Sequence, residues 1–482
     1  MGLPAQTVKQ ALAGHSWLGV AFGALIYIVC LSGTLLVLHA ELEHWEQADA
    51  PVLTQFDLAA AESTFNEFLA RGDGVTPHMY LVLPTDETPY ARLATENASW
   101  FFEADGTLGI AEHNHFSETL LDLHLYLHLP KAWGMLLVSA LGAVLVGFII
   151  SGFLAHPGIL RDAFRLRQRG SEQLAQTDLH NRLSVWAAPF HLTIAITGAY
   201  FGLALPVLAV VAEAEFDGDR MGVVSEVFGA EPELAPRSGP VAIGAALARI
   251  GELAPDATPF SVIVHDADSP TPLLEIFARH PGRLTWGEAY RFEIDGTYIG
   301  PVGWAGGETG QQILYSIYRL HFGTFDGALS KLVYLLLGFA LTVVAASGGE
   351  IWLAKRRRQD GLDDLWTGIV WGTPIAIVVS AGIGLVGANG VLGGFWLSLA
   401  SACALALALR DTARARALLQ RTLALFLFAL VAAHVAVYGA DAARGHPLLV
   451  NALACLAAAT LGALALRSGH RPAAVQVGQS AG

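Results

Sequence analysis

Residues 123–156 read LHLYLHLPKAWGMLLVSALGAVLVGFIISGFLAH. The apolar run from 133 to 155 is long enough to cross the hydrocarbon core of a bilayer as a helix. Histidines stand at both ends of the run, with His124 and His128 before it and His156 after it. Because ionisable side chains are costly in a bilayer, histidines at both boundaries of a span suggest a function there. The stretch therefore predicts a membrane helix whose two ends carry chemistry.

The composition of the whole chain agrees with a membrane protein. Of its 482 residues, 54% are hydrophobic and 15% are charged, and the mean hydropathy is +0.48. These values are typical of a chain with many membrane helices. Eight apolar runs have the length of a span, and they lie near 17–38, 133–155, 185–210, 330–353, 366–387, 391–409, 422–439 and 448–466.

Basic residues in the short loops predict the orientation of the spans. Four arginines follow the second span, Lys355 to Arg358 follow the fourth, and four arginines follow the sixth. Because such loops remain in the cytoplasm, we expect cytoplasmic N- and C-termini in a bacterial inner membrane, with residues 40–122 and 213–320 outside. The first external segment holds 16 Asp and Glu against 2 Arg, and the second holds 16 against 7. The net charge of −14 is therefore mostly external, and it argues against a nucleic-acid partner.

The chain repeats a pattern of span, external segment and span. The external segments each combine a helical stretch with alternating segments, and they end in FEADGT (102–107) and FEIDGT (292–297), where Asp-Gly predicts a turn between strands. We predict a polytopic α-helical membrane protein with a four-helix core, two small α+β external modules and about four extra C-terminal spans. The predicted boundaries are 10–39, 123–156, 183–212 and 321–358 for the core spans, 40–122 and 213–320 for the modules, 157–182 for a basic cytoplasmic loop and 364–482 for the C-terminal bundle.

Cysteine chemistry is not indicated. Cys30, Cys403 and Cys455 all fall within spans, and the sequence has no CxxC or CxxCH motif. These observations exclude a zinc ribbon, a thioredoxin-like site and covalently attached haem. The first apolar run is too long for the hydrophobic region of a signal peptide, so we expect it to remain as an uncleaved span.

Histidines recur at the boundaries of the first four spans and fall into two levels. Neutral imidazole is a favoured iron ligand, and ionisable residues in membranes usually face the interior of the helix bundle. On continuous helices, His124 and His128 would share a face, and His180 and His191 would differ by about 20° around the axis and about 16 Å along it. The outer level holds His124, His128 and His321, with His39 nearby, and the inner level holds His15, His156, His180 and His191.

Two levels of apposed imidazoles suggest two non-covalent haems stacked across the bilayer. Several alternatives remain open from the residues alone. The histidines could be interfacial or structural, they could form a proton relay, or they could join Asp122 or Asp326 in a zinc or ferrous site. Small residues beside the histidines would open slots for haem, and they are Gly14, Gly19, Gly23, Gly198 and Gly202.

Four stretches, in matching order and spacing over about residues 10–360, resemble the PepSY-associated transmembrane helix family. They begin HSWLGVAFG, LHLYLHLPKAWG, DLHNRLSVWAAPFHL and LHFGTFDGALSK. The resemblance implies an iron-regulated inner-membrane protein with external PepSY modules, similar in some members to di-haem siderophore reductases. The histidines typical of the family map onto His15, His124, His128, His156, His180, His191 and His321.

The resemblance and the two levels of histidines predict a haem b oxidoreductase, with two haems, that passes electrons across the membrane to an external ferric siderophore or other iron chelate. We expect His124 or His128 with His321 at the outer haem, and two of the four inner-level histidines at the inner one. No GxGxxG follows a strand, so we expect quinol or a separate reductase as the electron donor. Two rival functions remain, a non-catalytic PepSY scaffold and a transporter of iron or of a chelate.

Overall fold

The computed structural model describes residues 4–164, 172–230, 232–356, 358–387 and 389–469. The first part of the chain forms a span, an α+β unit and a second span. Its elements are α1 (Ala5–Leu36), α2 (His39–Glu46), α3 (Leu58–Arg71), β1 (Met79–Val82), β2 (Arg92–Ala94), β3 (Ser99–Phe102), β4 (Leu108–Ala111), α4 (His115–Tyr126), α5 (Lys131–Ala155) and α6 (Ile159–Asp162).

The next part repeats this order, with two helices in place of α1. We call the part from α1 to α5 repeat 1 and the part from α7 to α12 repeat 2. The elements of repeat 2 are α7 (Glu172–Trp186), α8 (Ala188–Glu215), α9 (Arg220–Phe228), α10 (Ile243–Leu253), β5 (Thr258–His265), β6 (Leu273–Arg279), β7 (Glu288–Glu293), β8 (Tyr298–Pro301), α11 (Thr309–Phe322) and α12 (Gly327–Lys355).

A C-terminal bundle completes the described chain. It consists of α13 (Gly361–Leu385), α14 (Val391–Leu409), α15 (Thr412–Tyr438), a short 3₁₀ turn (Asp441–Ala443) and α16 (Gly445–Gly469). Among the described residues, eight helices are long and apolar enough to cross a membrane, and they are α1, α5, α8 and α12 to α16. Each overlaps most of one of the eight predicted apolar runs, so the chain is a polytopic α-helical membrane protein.

The strands of the two repeats form one sheet. The strand order is β4-β3-β2-β1-β5-β6-β7-β8, and all neighbours are antiparallel. Pairing of β1 with β5, with Tyr80 opposite Ile263, joins the repeats. Phe65 of α3 and Ile243 of α10 are fully buried in the same hydrophobic core as strand residues from both repeats. The Asp-Gly turns lie where predicted, with Gly106 between β3 and β4 and Gly296 between β7 and β8, both at positive φ.

We call the side of the membrane core that carries the sheet the sheet face. The opposite side, where α5, α12 and α14 end in arginine-containing segments, is the basic face. In the core, α1 packs against α5 and α12, α5 packs against α8, and α7 packs against α12. The C-terminal bundle packs on this core through α13, which contacts α1 and α12. It is also held by Trp45 of α2, which donates to Asn451 and accepts from His434.

Three of the core spans are not the single helices that the sequence analysis assumed. Helix α4 ends at Tyr126, and Leu127 and His128 adopt positive φ values of 54° and 57° before Pro130. The residue before a proline is disfavoured in a helix, which separates α4 from α5. Similar breaks separate α7 from α8, just before Pro189, and α11 from α12, at Gly323. The predicted helical alignments of His124 with His128, and of His180 with His191, are therefore wrong.

Candidate functional site

At the sheet face, two imidazoles from different repeats approach each other. The ring centroids of His124 on α4 and His321 on α11 are 6.2 Å apart, with 33° between the ring planes. His124 Nδ1 lies 3.0 Å from the carbonyl oxygen of Val29, in α1. His321 Nδ1 lies 2.8 Å from Thr197 Oγ1, in α8. Each ring is thus held by a span of its own repeat and directed towards the other repeat.

At the basic face, a second pair is built in the same way. His15 Nδ1, on α1, lies 3.1 Å from Ser151 Oγ of α5. His180 Nδ1, on α7, lies 3.0 Å from Ser347 Oγ of α12. Ser151 and Ser347 lie near the basic-face ends of α5 and α12, so both imidazoles lie at this level. Again one histidine comes from each repeat. His15 is held by α5 of repeat 1, and His180 is held by α12 of repeat 2.

All four rings contact a glycine that directly follows a serine or threonine. A Cβ atom at Gly33 would lie 2.5 Å from Cε1 of His124, and one at Gly198 would lie 3.1 Å from Cε1 of His321. A Cβ atom at Gly152 would lie 3.4 Å from Cε1 of His15, and a Cβ atom at Gly348 would lie 3.4 Å from Cε1 of His180. We call these dipeptides the Ser/Thr-Gly cradles, and they are Ser32-Gly33, Ser151-Gly152, Thr197-Gly198 and Ser347-Gly348.

The partners of Nδ1 favour one tautomer of each ring. The Val29 carbonyl oxygen can only accept, so Nδ1 of His124 carries its hydrogen. The hydroxyls of Ser151, Thr197 and Ser347 each also lie within hydrogen-bond distance of a carbonyl oxygen of their own helix. With the hydroxyl hydrogen on that carbonyl oxygen, each hydroxyl accepts from Nδ1 of its histidine and leaves a lone pair on Nε2. This is the tautomer in which a metal-binding histidine is oriented by its second nitrogen.

The cradles carry a repeated spacing that the sequence analysis missed. His15 precedes Ser32 by 17 residues, and His180 precedes Thr197 by the same 17. His124 precedes Ser151 by 27 residues, and His321 precedes Ser347 by 26. Comparing the two repeats for histidine followed at this spacing by Ser/Thr-Gly would have separated these four histidines from the rest.

The other predicted histidines have different surroundings. His128 uses both ring nitrogens, since Nε2 lies 2.7 Å from the Thr119 carbonyl oxygen and Nδ1 accepts from Trp396. His156 is partly exposed and lies 3.8 Å from Asp162. His191 is 2% exposed, and its Nε2 has no hydrogen-bond partner in the described structure. His39, in α2, lies 3.8 Å from Glu43.

Of the five glycines predicted to open haem slots, Gly198 contacts one of the four cradled imidazoles. Gly14 has no neighbour within 4 Å of a built Cβ atom, Gly19 faces Phe148, Gly23 faces Trp366, and Gly202 faces Ser139 and Met135. A role of these four glycines beside a haem stays a prediction, because the contacts that distinguish Gly198 join different helices and a single helix does not reveal its partner. Within the described ranges, no group of three or more His, Cys, Asp or Glu side chains is arranged to hold a metal ion.

The sheet-face pair fits the axial ligands of haem in its spacing, and the basic-face pair offers the same kind of donor atoms. In a bis-histidine haem the porphyrin supplies four nitrogens, so the protein needs to supply only two imidazoles. Iron–imidazole bonds of about 2 Å would place the two ring centroids roughly 6 Å apart. The separation of 6.2 Å between the rings of His124 and His321 agrees with this spacing. The free Nε2 atoms complete the required donor set.

Aromatic rings connect the sheet-face pair with the sheet. The Phe201 ring centroid lies 5.4 Å from that of His321, and Phe322 lies 5.7 Å from it. Tyr318 stacks on Phe322 at 4.4 Å and lies 5.9 Å from Trp286. This row of aromatic rings leads from His321 in the membrane core to Trp286, beside the sheet.

Comparison with known proteins gives one relative and one family. The chain is 27% identical over 253 residues to the uncharacterised protein PA4219 of Pseudomonas aeruginosa. The matched region is 50% of this chain and 64% of that protein, so the chain spans less than two thirds of the length of its relative. Residues 12–355 match the family described as "PepSY-associated TM region", and these residues contain all four cradles and both repeats apart from the first residues of α1. The chain therefore belongs to the PepSY-associated TM region family.

Proposed function

We propose that this protein is a haem b oxidoreductase of the bacterial inner membrane that reduces an external ferric chelate of the siderophore type. The observation that carries the proposal is the pair of imidazoles at each face, one from each repeat, held through Nδ1 with no protein partner on Nε2 in the described structure. The rings of His124 and His321 are opposed, with centroids 6.2 Å apart. His124 with His321 would bind one haem, and His15 with His180 the other. Along α1, residues 15 and 32 mark the two levels, which are about 26 Å apart.

The residues around each pair have defined tasks in this proposal. Two imidazoles at one iron close both axial positions, which suits electron transfer rather than oxygen binding. The Nδ1–H donation to a hydroxyl or carbonyl oxygen orients each ring and raises its basicity as a ligand. The glycines let the rings lie directly on the helix backbone. When bound, haem supplies one-electron redox chemistry, and the protein supplies its position and its surroundings.

The proposed direction of electron flow follows from the charges of the loops. We place the basic face in the cytoplasm and the sheet face outside, because short basic loops remain on the cytoplasmic side. The aromatic row beside His321 then lies between the membrane core and the external sheet. An external ferric complex that gains one electron becomes ferrous, and ferrous iron binds hard oxygen donors less strongly. Reduction would therefore release iron from the chelate.

Absorption spectra of the purified full-length protein, air-oxidised and then reduced with dithionite, test this proposal. We expect a b-type spectrum and about two haems per chain in a pyridine haemochrome assay. His124→Ala should remove one haem and leave the other, because it removes one axial ligand of the sheet-face site only. His128→Ala is the matched control and should retain both haems, because both of its ring nitrogens already have protein partners.

A colourless protein purified intact from haem-replete cells would overturn the proposal. The rival functions then separate by one further measurement. Flux of iron or of its chelate into vesicles without an electron donor would identify a transporter. The absence of flux, with function retained after replacement of the cradled histidines, would identify a scaffold.

A further inference from the structure

A polar cavity opens at the basic face, between the membrane core and the C-terminal bundle. Its volume is about 380 Å³, within the range of small-molecule sites. The core contributes Gln176 of α7 and Glu350 and Ala354 of α12. The bundle contributes residues of α13 and α15, and they are Asp363, Trp366, Thr367, Thr412 and Arg416.

This cavity lies directly beside the basic-face pair. Gln176 precedes His180 by one helical turn, and Glu350 follows Ser347, the partner of His180, by three residues. The indole of Trp366 lies against Gly349, the neighbour of the cradle glycine Gly348, and its Nε1 donates to the carbonyl oxygen of Ala346. One wall of the cavity is therefore the outer surface of a cradle.

The charges that line the cavity are already paired within the protein. Glu350 accepts from Gln176 at 3.2 Å and from Arg416 at 2.7 Å. Arg358 pairs with Asp360 at 3.1 Å, and Asp363 pairs with Arg356 at 2.9 Å. A phosphate-bearing donor such as a nicotinamide or flavin nucleotide would need uncommitted cations. The paired arginines here favour a neutral ligand.

Polar groups suited to a neutral ring compound remain. Nε of Arg416 is buried and has no hydrogen-bond partner in the described structure. An oxygen of the ligand could accept from this nitrogen, the indole of Trp366 offers a flat apolar surface, and the carboxylate of Glu350 could accept a proton. The cavity thus combines a hydrogen-bond donor, an aromatic wall and a base beside a predicted redox centre.

We propose that this cavity is the site at which a membrane quinol is oxidised, and the inference rests on the proposed function. Each quinol loses two electrons and two protons and leaves as quinone. The two electrons reduce two external ferric complexes, one electron each. The two protons leave at the basic face, the first by way of Glu350. The C-terminal bundle then has a definite task, because α13 and α15 form half of the quinol site.

Binding of 2-heptyl-4-hydroxyquinoline N-oxide, a fluorescent quinol analogue, tests the site independently of turnover. We expect saturable quenching of its fluorescence by the full-length protein in detergent. Ala354→Phe places a ring in the cavity without removing a hydrogen bond, and it should weaken binding roughly tenfold or more. Ala408→Phe is the matched control, an exposed alanine near the end of α14 that does not line the cavity, and it should bind like the wild type.

A second variant tests the role of the carboxylate. Glu350→Gln should bind the analogue within about threefold of the wild type, yet it should slow quinol-driven haem reduction, and Glu350→Asp should restore the rate. Two haems per chain without binding of the analogue, or unchanged binding in Ala354→Phe, would overturn the quinol site and leave the proposed function intact. Absence of haem would overturn the proposed function whatever the analogue does.

Discussion

A hydroxyl-bearing residue followed by glycine is a minimal unit for seating an imidazole on a helix. The hydroxyl uses its hydrogen within its own helix and accepts from Nδ1, while the missing side chain of the glycine leaves room for the ring. Ser32-Gly33 and Thr197-Gly198 are visible in the sequence, but their histidine partners lie on other helices. The histidines could therefore be predicted as a group, with His321 opposite His124 or His128. The choice of His124, and the partners at the other level, required the contacts between helices.

Replacing Gly33 tests the cradle at the level of one methyl group. In Gly33→Ala the added Cβ atom would lie 2.5 Å from Cε1 of His124 and displace the ring. We expect the sheet-face haem to be lost or greatly weakened while the basic-face haem remains, as measured by the ratio of haem to protein. Gly462→Ala, in α16 with no neighbour within 4 Å, is the control and should keep both haems. Equal haem content in the two variants would contradict the assignment of Gly33 to a haem site.

At the scale of elements, the eight spans were predicted from the sequence, whereas the helix breaks before three of them were not. The spans were predictable because length and hydropathy are properties of each segment alone. The breaks depend on local signals that the apolar pattern hides, namely Pro130, Pro189 and Gly323. Their consequence reaches the site, because His124 and His321 lie on the short helices α4 and α11 before their spans.

The glycine of the first Asp-Gly turn, Gly106, combines a positive φ with a close neighbour in α3. Gly106 has φ 80°, and a Cβ atom there would lie 2.5 Å from the backbone nitrogen of Ala61 in α3. Gly72 has φ 71° with no neighbour within 4 Å. Positive φ costs a residue with a side chain about 1–2 kcal/mol at either position. At Gly106 the added Cβ atom would also press against α3, so Gly106→Ala should unfold at a lower temperature than Gly72→Ala. Differential scanning fluorimetry of both variants in detergent measures this, and equal midpoints would show that the turn does not press on α3.

At the scale of the whole molecule, the single eight-stranded sheet was not predictable from the sequence. Two modules were expected because each has its own helix, its own alternating segments and its own Asp-Gly turn. Pairing of β1 with β5 joins residues that are about 180 positions apart, and no local pattern specifies such a partner. The sheet therefore connects the strand-forming parts of the same two repeats that supply the cradled histidines.

Cross-linking tests the junction between β1 and β5. Tyr80 and Ile263 are directly opposite in this antiparallel pair, where Cα atoms are about 4.5–5.5 Å apart, a separation that a disulfide can bridge. We expect Tyr80→Cys with Ile263→Cys to form a disulfide on mild oxidation, as detected by mass spectrometry of linked peptides. Tyr80→Cys with Ser261→Cys is the control, displaced by two residues on the same face, and it should cross-link much less. Equal yields from both pairs would contradict the register.

The way in which the two repeats share the histidine sites suggests how the chain evolved. Each cradle lies within one repeat, whereas each pair of imidazoles takes one ring from each repeat. A chain with a single repeat could orient its two histidines. Each of these histidines would then need a histidine of a second copy as its opposite partner. Duplication and fusion of such a half-length gene would convert a two-fold dimer into one polypeptide, and each copy could then diverge, as Ser32 and Thr197 have at matching positions.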